Sequence, residues 1–403
     1  MDRKILLLTA IGPDHPGLTA ALCDALAKHD ASVLDIGQSS IHDQVNLGML
    51  LEVPAKQSAD VMKDLLLEAH HHDVKLAFSP VEQAHYEAWV ATQALPRFIV
   101  TLLGRKLSAA NLAHVADVAA RHGLNIDSIS RLSGRFSLQA DQPQRRACVE
   151  FSLRGIAADV EQLREDLLTI TNEDEVDLAF QEDDLYRRHR RLVVFDMDST
   201  LIQCEVMDEL AKRAGVGEQV AAVTEAAMRG EIDFNESFQR RLATLEGLDE
   251  AVLKDIADNL PITEGADRLI NTLKQLGFQV AILSGGFSYF ADTLKTRWGL
   301  DHVSANRLDI VDGKLTGKVL GEVVNGEVKA RLLQEMAAQQ GIGLEQTIAV
   351  GDGANDLPML KLAGLGVAFH AKPVVQANAR HAISTLGLDG ILYLLGIRDR
   401  EVS

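Results

Sequence analysis

The stretch VVFDMDSTLIQCE, residues 193–205, runs from an apolar segment straight into Asp196 and Asp198, then two hydroxyls and a further acid, Glu205. Two like charges about 4 Å apart repel by about 4 kcal/mol at an effective dielectric of about 20. A buried strand that ends in such a pair needs compensation. A metal ion, a shared proton or solvation at a surface loop could each supply it, and the surrounding sequence has to choose.

Working outward from this stretch, short apolar runs alternate with helical segments: LVVFD (192–196), QVAILSG (279–285), TIAVGDG (347–353) and LGVAF (365–369). That alternation predicts a parallel sheet with helices on both faces. In open α/β sheets, ligands gather outside the carboxyl ends of the strands. Those ends here carry Asp196 and Asp198, then Ser284 with Gly285 and Gly286, then GDGAND (351–356) with Asp352, Asn355 and Asp356. Lys329, in NGEVKARLL (325–333), falls early on a helix from which it can reach the same crevice. Carboxylates from two strands facing one gap suit an oxygen-seeking cation such as Mg²⁺, so a metal is the favoured compensation. GDGAND lacks the third glycine of a dinucleotide fingerprint. Residues 206–261 are a mostly helical insert placed directly after the first strand, where it can fold over the crevice as a lid. Asp312-Gly313 is a hairpin turn signal.

The first 180 residues repeat internally. KILLLTAIG (4–12) is echoed by RFIVTLLG (97–104), AKHDASVLDI (27–36) by ARHGLNIDSI (120–129), and DVKLAF (73–78) by EVDLAF (175–180). LTAALCDALAKH (18–29) and NLAHVADVAARH (111–122) have helical apolar spacing. Each half therefore reads βαββαβ, the ferredoxin-like order. The basic run YRRHRR (186–191) after QEDD (181–184) reads as a solvated face or a partner to the adjacent acids. The triplet His70-His71-His72 reads as a solvated helix end, since adjacent histidines diverge on a helix.

Composition narrows the function classes. With 403 residues and 47% hydrophobic content the chain has material for more than one packed domain. A formal net charge of -18 argues against nonspecific binding to nucleic acid or anionic lipid, so an anionic substrate needs local positive charge. Three scattered cysteines, without CxxC, support neither a disulfide framework nor a thiolate zinc site. No stretch reaches the roughly 18 apolar residues of a membrane span, and no export signal is visible. A cytoplasmic protein with no nucleic-acid or membrane partner is expected.

Two resemblances sharpen these expectations. The tandem βαββαβ modules resemble a pair of ACT domains, small-ligand regulatory modules, with an effector loop at Asp14-His15-Pro16-Gly17. The corresponding stretch of the second copy, Lys106-Leu107-Ser108-Ala109, lacks both Asp and Gly. DMDST, the strand ending in Ser284, Lys329 and GDGAND, in that order, resemble the haloacid dehalogenase superfamily. That resemblance implies Asp196 as nucleophile and Asp198 as general acid/base. It also implies Mg²⁺ on Asp196, Asp352 and the Asp198 carbonyl, with Asp356 an indirect ligand. Ser284, Gly285, Lys329 and Asn355 are then implied to bind phosphoryl oxygens.

Within the superfamily, residues 192–395 are similar to the phosphoserine phosphatase family, which implies O-phosphoserine as substrate, serine biosynthesis as setting and an aspartyl-phosphate intermediate. It further implies that Glu205 meets the substrate ammonium, Arg241 its carboxylate, and that Met228 and Phe234 shield the site. Serine or another amino acid is the implied ACT effector, and a homodimer the implied assembly. The expected organisation is an ACT domain at 1–84, a second at 94–182, a charged linker at 183–191, and a Rossmann-like core at 192–396 with its helical cap at about 206–262. A phosphatase or phosphotransferase for another small phosphomonoester, and an amino-acid sensor with a vestigial core, remain open at this point.

Overall fold

The structure is a computed structural model that describes residues 3–135, 137, 146–173 and 176–402. It divides into two compact units, Met1–Leu95 and Pro96–Ser403. The first contains β1 (Arg3–Pro13), α1 (Leu18–Ala27), β2 (Ser32–Ile41), β3 (Gln44–Pro54), α2 (Ser58–His71) and β4 (Lys75–Val81), followed by α3 (Gln83–Thr92), a helix outside the repeat. Its strands form one antiparallel sheet in the order β2-β3-β1-β4. Along β3, alternate residues Val45, Leu47, Met49, Leu51 and Val53 are buried, the period-two signature of a sheet covered on one face. They pack on Leu18, Leu22 and Leu26 of α1 and on Val61 and Leu65 of α2.

The second unit begins with the same module: β5 (Arg97–Gly104), α4 (Ala109–Arg121), β6 (Asn125–Arg131), β7 (Ala147–Arg154), α5 (Val160–Glu173) and β8 (Asp177–Glu182), in sheet order β6-β7-β5-β8. Here the pattern changes. In β5 and β8 both faces are buried over most of their length. Leu103, Leu132, Cys148 and Ala179 of this module belong to the apolar core of the α/β domain that follows. Asp177 at the start of β8 accepts from the Ser384 and Thr385 amides, both at 2.8 Å.

The linker expected at 183–191 is mostly exposed, with two of its arginines turned inward. Its 3₁₀ turn (Leu185–Arg188) is capped by Asp184, whose side chain accepts from the Arg187 amide. Arg187 and Arg190 are buried: Arg187 pairs with Glu150, and Arg190 donates to the carbonyls of Arg187 and Gly364. Two arginines of an otherwise exposed run become interior because their partners Glu150 and the Gly364 carbonyl lie in the flanking domains.

The α/β domain comprises β9 (Leu192–Phe195), cap helices α6 (Val206–Ala214), α7 (Gly217–Met228), α8 (Phe234–Ala243) and α9 (Ala251–Asp258), then α10 (Ala266–Gln275), β10 (Gln279–Phe287), α11 (Ser288–Trp298), β11 (His302–Val311), β12 (Lys314–Leu320), α12 (Gly326–Gln339), β13 (Thr347–Gly351), α13 (Leu357–Leu362), β14 (Leu365–Phe369), α14 (Pro373–Gln376), β15 (His381–Ile383) and α15 (Ile391–Leu394). The sheet order is β12-β11-β10-β9-β13-β14-β15, parallel except for the β11–β12 hairpin. Asp312 and Gly313 form that hairpin's turn, both with positive φ, as a two-residue type I′ connection demands. Strand β9 is central and wholly buried. Val193 and Phe195 face one core and Leu192 and Val194 the other, each side chain contributing about 1.5–3 kcal/mol by burial.

His381 on β15 offers a readout of this packing. It is buried near Arg164, Arg190 and Arg380, and burial above all holds its imidazole down at about 3. The unfolded chain protonates this ring near pH 6.5 while the folded protein keeps it neutral, so the unfolded state binds more protons and stability falls as pH drops below about 6.5. By pH 5 the loss is about 2 kcal/mol. Thermal unfolding followed between pH 7.5 and 5 is expected to fall less steeply in His381→Asn than in the parent; parallel profiles would contradict the assignment.

Candidate active site

Strand β9 delivers Asp196 to the centre of the sheet's carboxyl edge, where its amide donates to the Val350 carbonyl of β13 at 2.8 Å. The chain then makes one irregular helical turn, Met197–Leu201, with Ser199 at φ 54. Through it Asp198 comes up against β10: a Cβ on Gly286 would stand 2.6 Å from Asp198 Oδ2, so only glycine allows this approach. The Ser199 hydroxyl donates to Glu205 at 2.7 Å, tying the last acid of the thirteen-residue stretch back to its turn. Asp196 and Asp198 are nearly buried, at 6% and 9% exposure.

Carboxylate oxygens of Asp196, Asp352 and Asp356 lie within 4.8 Å of one another. Lys329, fully buried on the first turn of α12, is 2.9 Å from Asp196 and 2.7 Å from Asp356. Asp356 also accepts from the Gly353 amide at 2.9 Å, and Asp352 accepts from the Thr200 hydroxyl at 3.2 Å. Lys329 thus faces several buried acids at once, and their hold on protons rises accordingly. Burial, then Asp196 and Asp356, push Asp352 up to about 8; burial and Asp196 push Asp356 up to about 7. Burial, Glu205 and Asp196 together hold Asp198 well above the usual carboxylate range. Burial works against the Lys329 charge, but Asp196 and Asp356 outweigh it and raise its affinity for the proton. Clustered carboxylates that keep protons near neutrality are what a hard divalent cation would relieve, and Asp196, Asp352 and Asp356 fit such an ion.

The neighbouring strand supplies donors. Ser284 is fully buried, its Oγ accepting from the Gly286 amide at 2.9 Å. A Cβ on Gly285 would lie 3.3 Å from the Phe234 ring and 3.9 Å from Asn355 Nδ2, so the cap, the β10 end and the GDGAND loop meet here. Arg241 on α8 donates from Nε to the Ser237 carbonyl at 3.3 Å and makes no ion pair among the described residues. Burial lowers its affinity for the proton, opposed by Glu205, Asp208 and Asp198 on the facing side. Met228 closes α7, and its side chain lies outside the described residues.

The haloacid dehalogenase-like hydrolase profile matches residues 190–364, and ACT domain profiles match 4–79 and 97–181. The phosphoserine phosphatase of Streptomyces coelicolor is 43% identical over 404 residues, spanning 100% of this chain and 94% of that protein. That of Mycobacterium tuberculosis is 40% identical over 405 residues, spanning 100% and 96%. The chain belongs to the phosphoserine phosphatase family. Among solved structures, a haloacid dehalogenase family hydrolase from Salmonella enterica serovar Typhi matches with TM-score 0.63 at 30% identity, over 74% of this chain and 98% of that one. A probable phosphoserine phosphatase from Vibrio cholerae matches with TM-score 0.59 at 38% identity, over 76% and 87%.

Two supporting residues of this phosphoserine phosphatase family member escaped the sequence reading. Thr200 lay within the quoted motif but carried no assigned partner, and Asn306 had no signal at all. Asn306 sits mid-strand in β11, donates to the Gly285 carbonyl at 2.8 Å and accepts from the Val324 amide at 2.9 Å. It does so where the β10–β11 register shifts between Leu283 and Phe287, a tertiary feature.

In the first ACT module, Asp14, His15 and Gly17 line a surface pocket of about 450 Å³ with Thr19, Gln38 and Val45. Gly17 caps α1 at φ 101. The second module's cap is Ser108, one residue earlier than the repeat alignment over 106–109 places it, and Ser108 and Asn111 close on each other in a capping box.

Removing the lone cation from this cluster strands two buried carboxylates, which costs about 3–5 kcal/mol for a buried pair. Lys329→Met is expected to lower thermal stability by that order in metal-free buffer. An unchanged melting temperature would show that the ion pair contributes nothing to the fold.

Proposed function

We propose that this chain hydrolyses O-phospho-L-serine to L-serine and inorganic phosphate through an aspartyl-phosphate on Asp196, with Asp198 as the proton carrier. The observation that carries this reading is the buried Asp196, held 2.9 Å from Lys329 inside an acid cluster and under a cap that brings Arg241 and Phe234 to the same crevice. Asp196, Asp352 and the Asp198 carbonyl, with Asp356 behind them, are the residues that would hold Mg²⁺, whose charge would offset that of the phosphoryl oxygens.

A carboxylate oxygen of Asp196 attacks phosphorus as the P–O bond to serine breaks. Asp198, whose hold on a proton burial and its acidic neighbours strengthen, gives its proton to the departing seryl oxygen. Asp198, now ionised, takes a proton from water, whose oxygen attacks phosphorus and releases phosphate and free Asp196. Lys329, Ser284, the Gly285 amide and Asn355 hold the phosphoryl oxygens through the transfer. Lys329 also orients Asp196 for in-line attack.

Glu205, fixed by Ser199, meets the substrate's ammonium, and Arg241 its carboxylate in a bidentate grip. Met228 and Phe234 exclude water when the cap is closed. This division of charge separates phosphoserine from phosphate esters that lack the amino-acid end.

The test is release of phosphate from O-phosphoserine with Mg²⁺ and with EDTA. Chelation and Asp196→Asn are each expected to abolish turnover. Arg241→Ala is expected to cut kcat/KM on phosphoserine by about 10²-fold or more while an aryl phosphate loses far less, since an unmatched charged group costs about 3 kcal/mol. Equal losses on both substrates would remove the carboxylate role, and full activity in Asp196→Asn would remove the nucleophile.

We further propose that the enzyme works in the cytoplasm as a homodimer and that the Asp14–His15–Gly17 pocket takes an amino-acid effector such as serine. The free cysteines and the exposed Ile11, Val33 and Ile36 of the first module support the first two points. Serine is expected to inhibit the full chain more than a chain beginning at Pro96, with light scattering reporting the dimer in the full chain alone. Equal inhibition would place serine at the catalytic site only.

A further inference from the structure

The cap hangs from the α/β domain by two short connections that pair with each other. Ile202 and Ile262 form an isolated antiparallel bridge, the Gln203 amide donates to the Pro261 carbonyl at 2.8 Å, and the Thr263 amide donates to the Leu201 carbonyl at 3.0 Å. Any cap movement has to be absorbed at or beside these residues, because the helices on either side are packed into the core.

The residue after this pair is Glu264, and its side chain is held by the second ACT module. Arg105 Nη1 donates to Glu264 Oε1 at 2.8 Å and Nη2 donates to Oε2 at 2.7 Å, a two-pronged grip. The Glu264 carbonyl accepts from the Leu388 amide at 2.8 Å. Gly265 follows at φ 80, so close to Asp389 that a Cβ there would stand 2.4 Å from its carboxylate. Asp389 is itself buried between Arg268 and Arg146, the latter also from the second module. The exit side of the cap hinge is thus fixed on three sides, and one of the fixings is an ion pair reached from outside the catalytic domain.

Arg105 lies in the loop between β5 and α4. In the first module the equivalent loop, between β1 and α1, carries Gly17 and frames the pocket described above. In the second it has the same length but no glycine, is closed by the Ser108–Asn111 capping box, and is turned onto the catalytic domain.

We propose that Arg105 is a positioning residue for catalysis: by clamping Glu264 it sets the cap hinge, and so the closure of the cap residues over the amino-acid end of the substrate. An ion pair whose side chains are 37% and 34% exposed contributes little to overall stability. What a bidentate guanidinium–carboxylate pair does supply is a fixed orientation, and a hinge is where orientation matters. The inference rests on the phosphoserine reading only for its choice of substrate.

The experiment compares the full-length parent with Arg105→Ala, Arg105→Lys and the exchanged pair Arg105→Glu/Glu264→Arg, on phosphoserine and on an aryl phosphate that has no ammonium or carboxylate for the cap to hold. Amide hydrogen exchange at Gln203 and Thr263 is followed alongside. For Arg105→Ala, kcat/KM on phosphoserine is expected to fall by about tenfold, as hinge changes shift kcat and KM together. The aryl phosphate rate should stay within about twofold and the melting temperature within a few degrees. Exchange at both amides should quicken, the exchanged pair should recover most of the loss, and Arg105→Lys should recover only part. Unchanged phosphoserine kinetics overturn the proposal. So does an equal loss on both substrates, or a loss that the exchanged pair fails to repair. If the parent does not hydrolyse phosphoserine at all, the functional reading fails by itself, and unquickened exchange at Gln203 and Thr263 in Arg105→Ala still decides against the hinge.

Discussion

Lys329 stands buried between Asp196 and Asp356, and the catalytic half of the molecule is arranged around that contact. A lysine with no exposed surface persists only if its charge is matched, and here it is matched by acids that would otherwise have no reason to be ionised in the interior. The pair does not balance the site, because Asp352 and Asp198 remain, with Glu205 close by. That residual imbalance is what makes the crevice chemically useful. A site already neutral would have little to gain from a divalent ion, whereas surplus buried carboxylate is what such an ion would relieve.

The sheet makes this crowding possible. Strand β9 is buried on both faces and cannot bend away from its neighbours, so Asp196 must emerge where β13 and β10 also end. Glycines at the crossing points let the loops close to hydrogen-bonding distance. At Gly286, any side chain would collide with Asp198. Asn306 then ties the Gly285 carbonyl to the Val324 amide, fixing the donor loop from behind.

The two ACT modules show how one folding pattern diverges by burial. The first keeps an outer sheet face with exposed apolar residues and a loop open around Gly17. The second has buried both faces of β5 and β8, shares Leu103 and Ala179 with the catalytic core, and has turned its loop into a grip on Glu264. The sequence repeat announced two equal copies. Their difference follows from what packs against them, and that was visible only as the loss of Asp and Gly at 106–109.

Much of the catalytic centre was legible in the chain because its parts are local. An apolar run into DMDST is a strand followed by a turn whatever surrounds it, and GDGAND can only be a tight loop; both place their acids at strand ends through backbone geometry alone. The βαββαβ order and the Asp312-Gly313 turn were readable for the same reason. Most of YRRHRR is exposed, as a charged run suggests. The burial of Arg187 and Arg190 within it, and the partners of Arg105, Thr200 and Asn306, could not be read, because nothing within a few residues of them records what they meet. Their partners, Glu150 for Arg187, Glu264 for Arg105 and Asp352 for Thr200, lie 37, 159 and 152 positions away in the chain. Periodicity and turn chemistry act over a few residues and so can be read along the sequence; desolvation and charge pairing depend on which distant surfaces close together, and only the tertiary structure decides that.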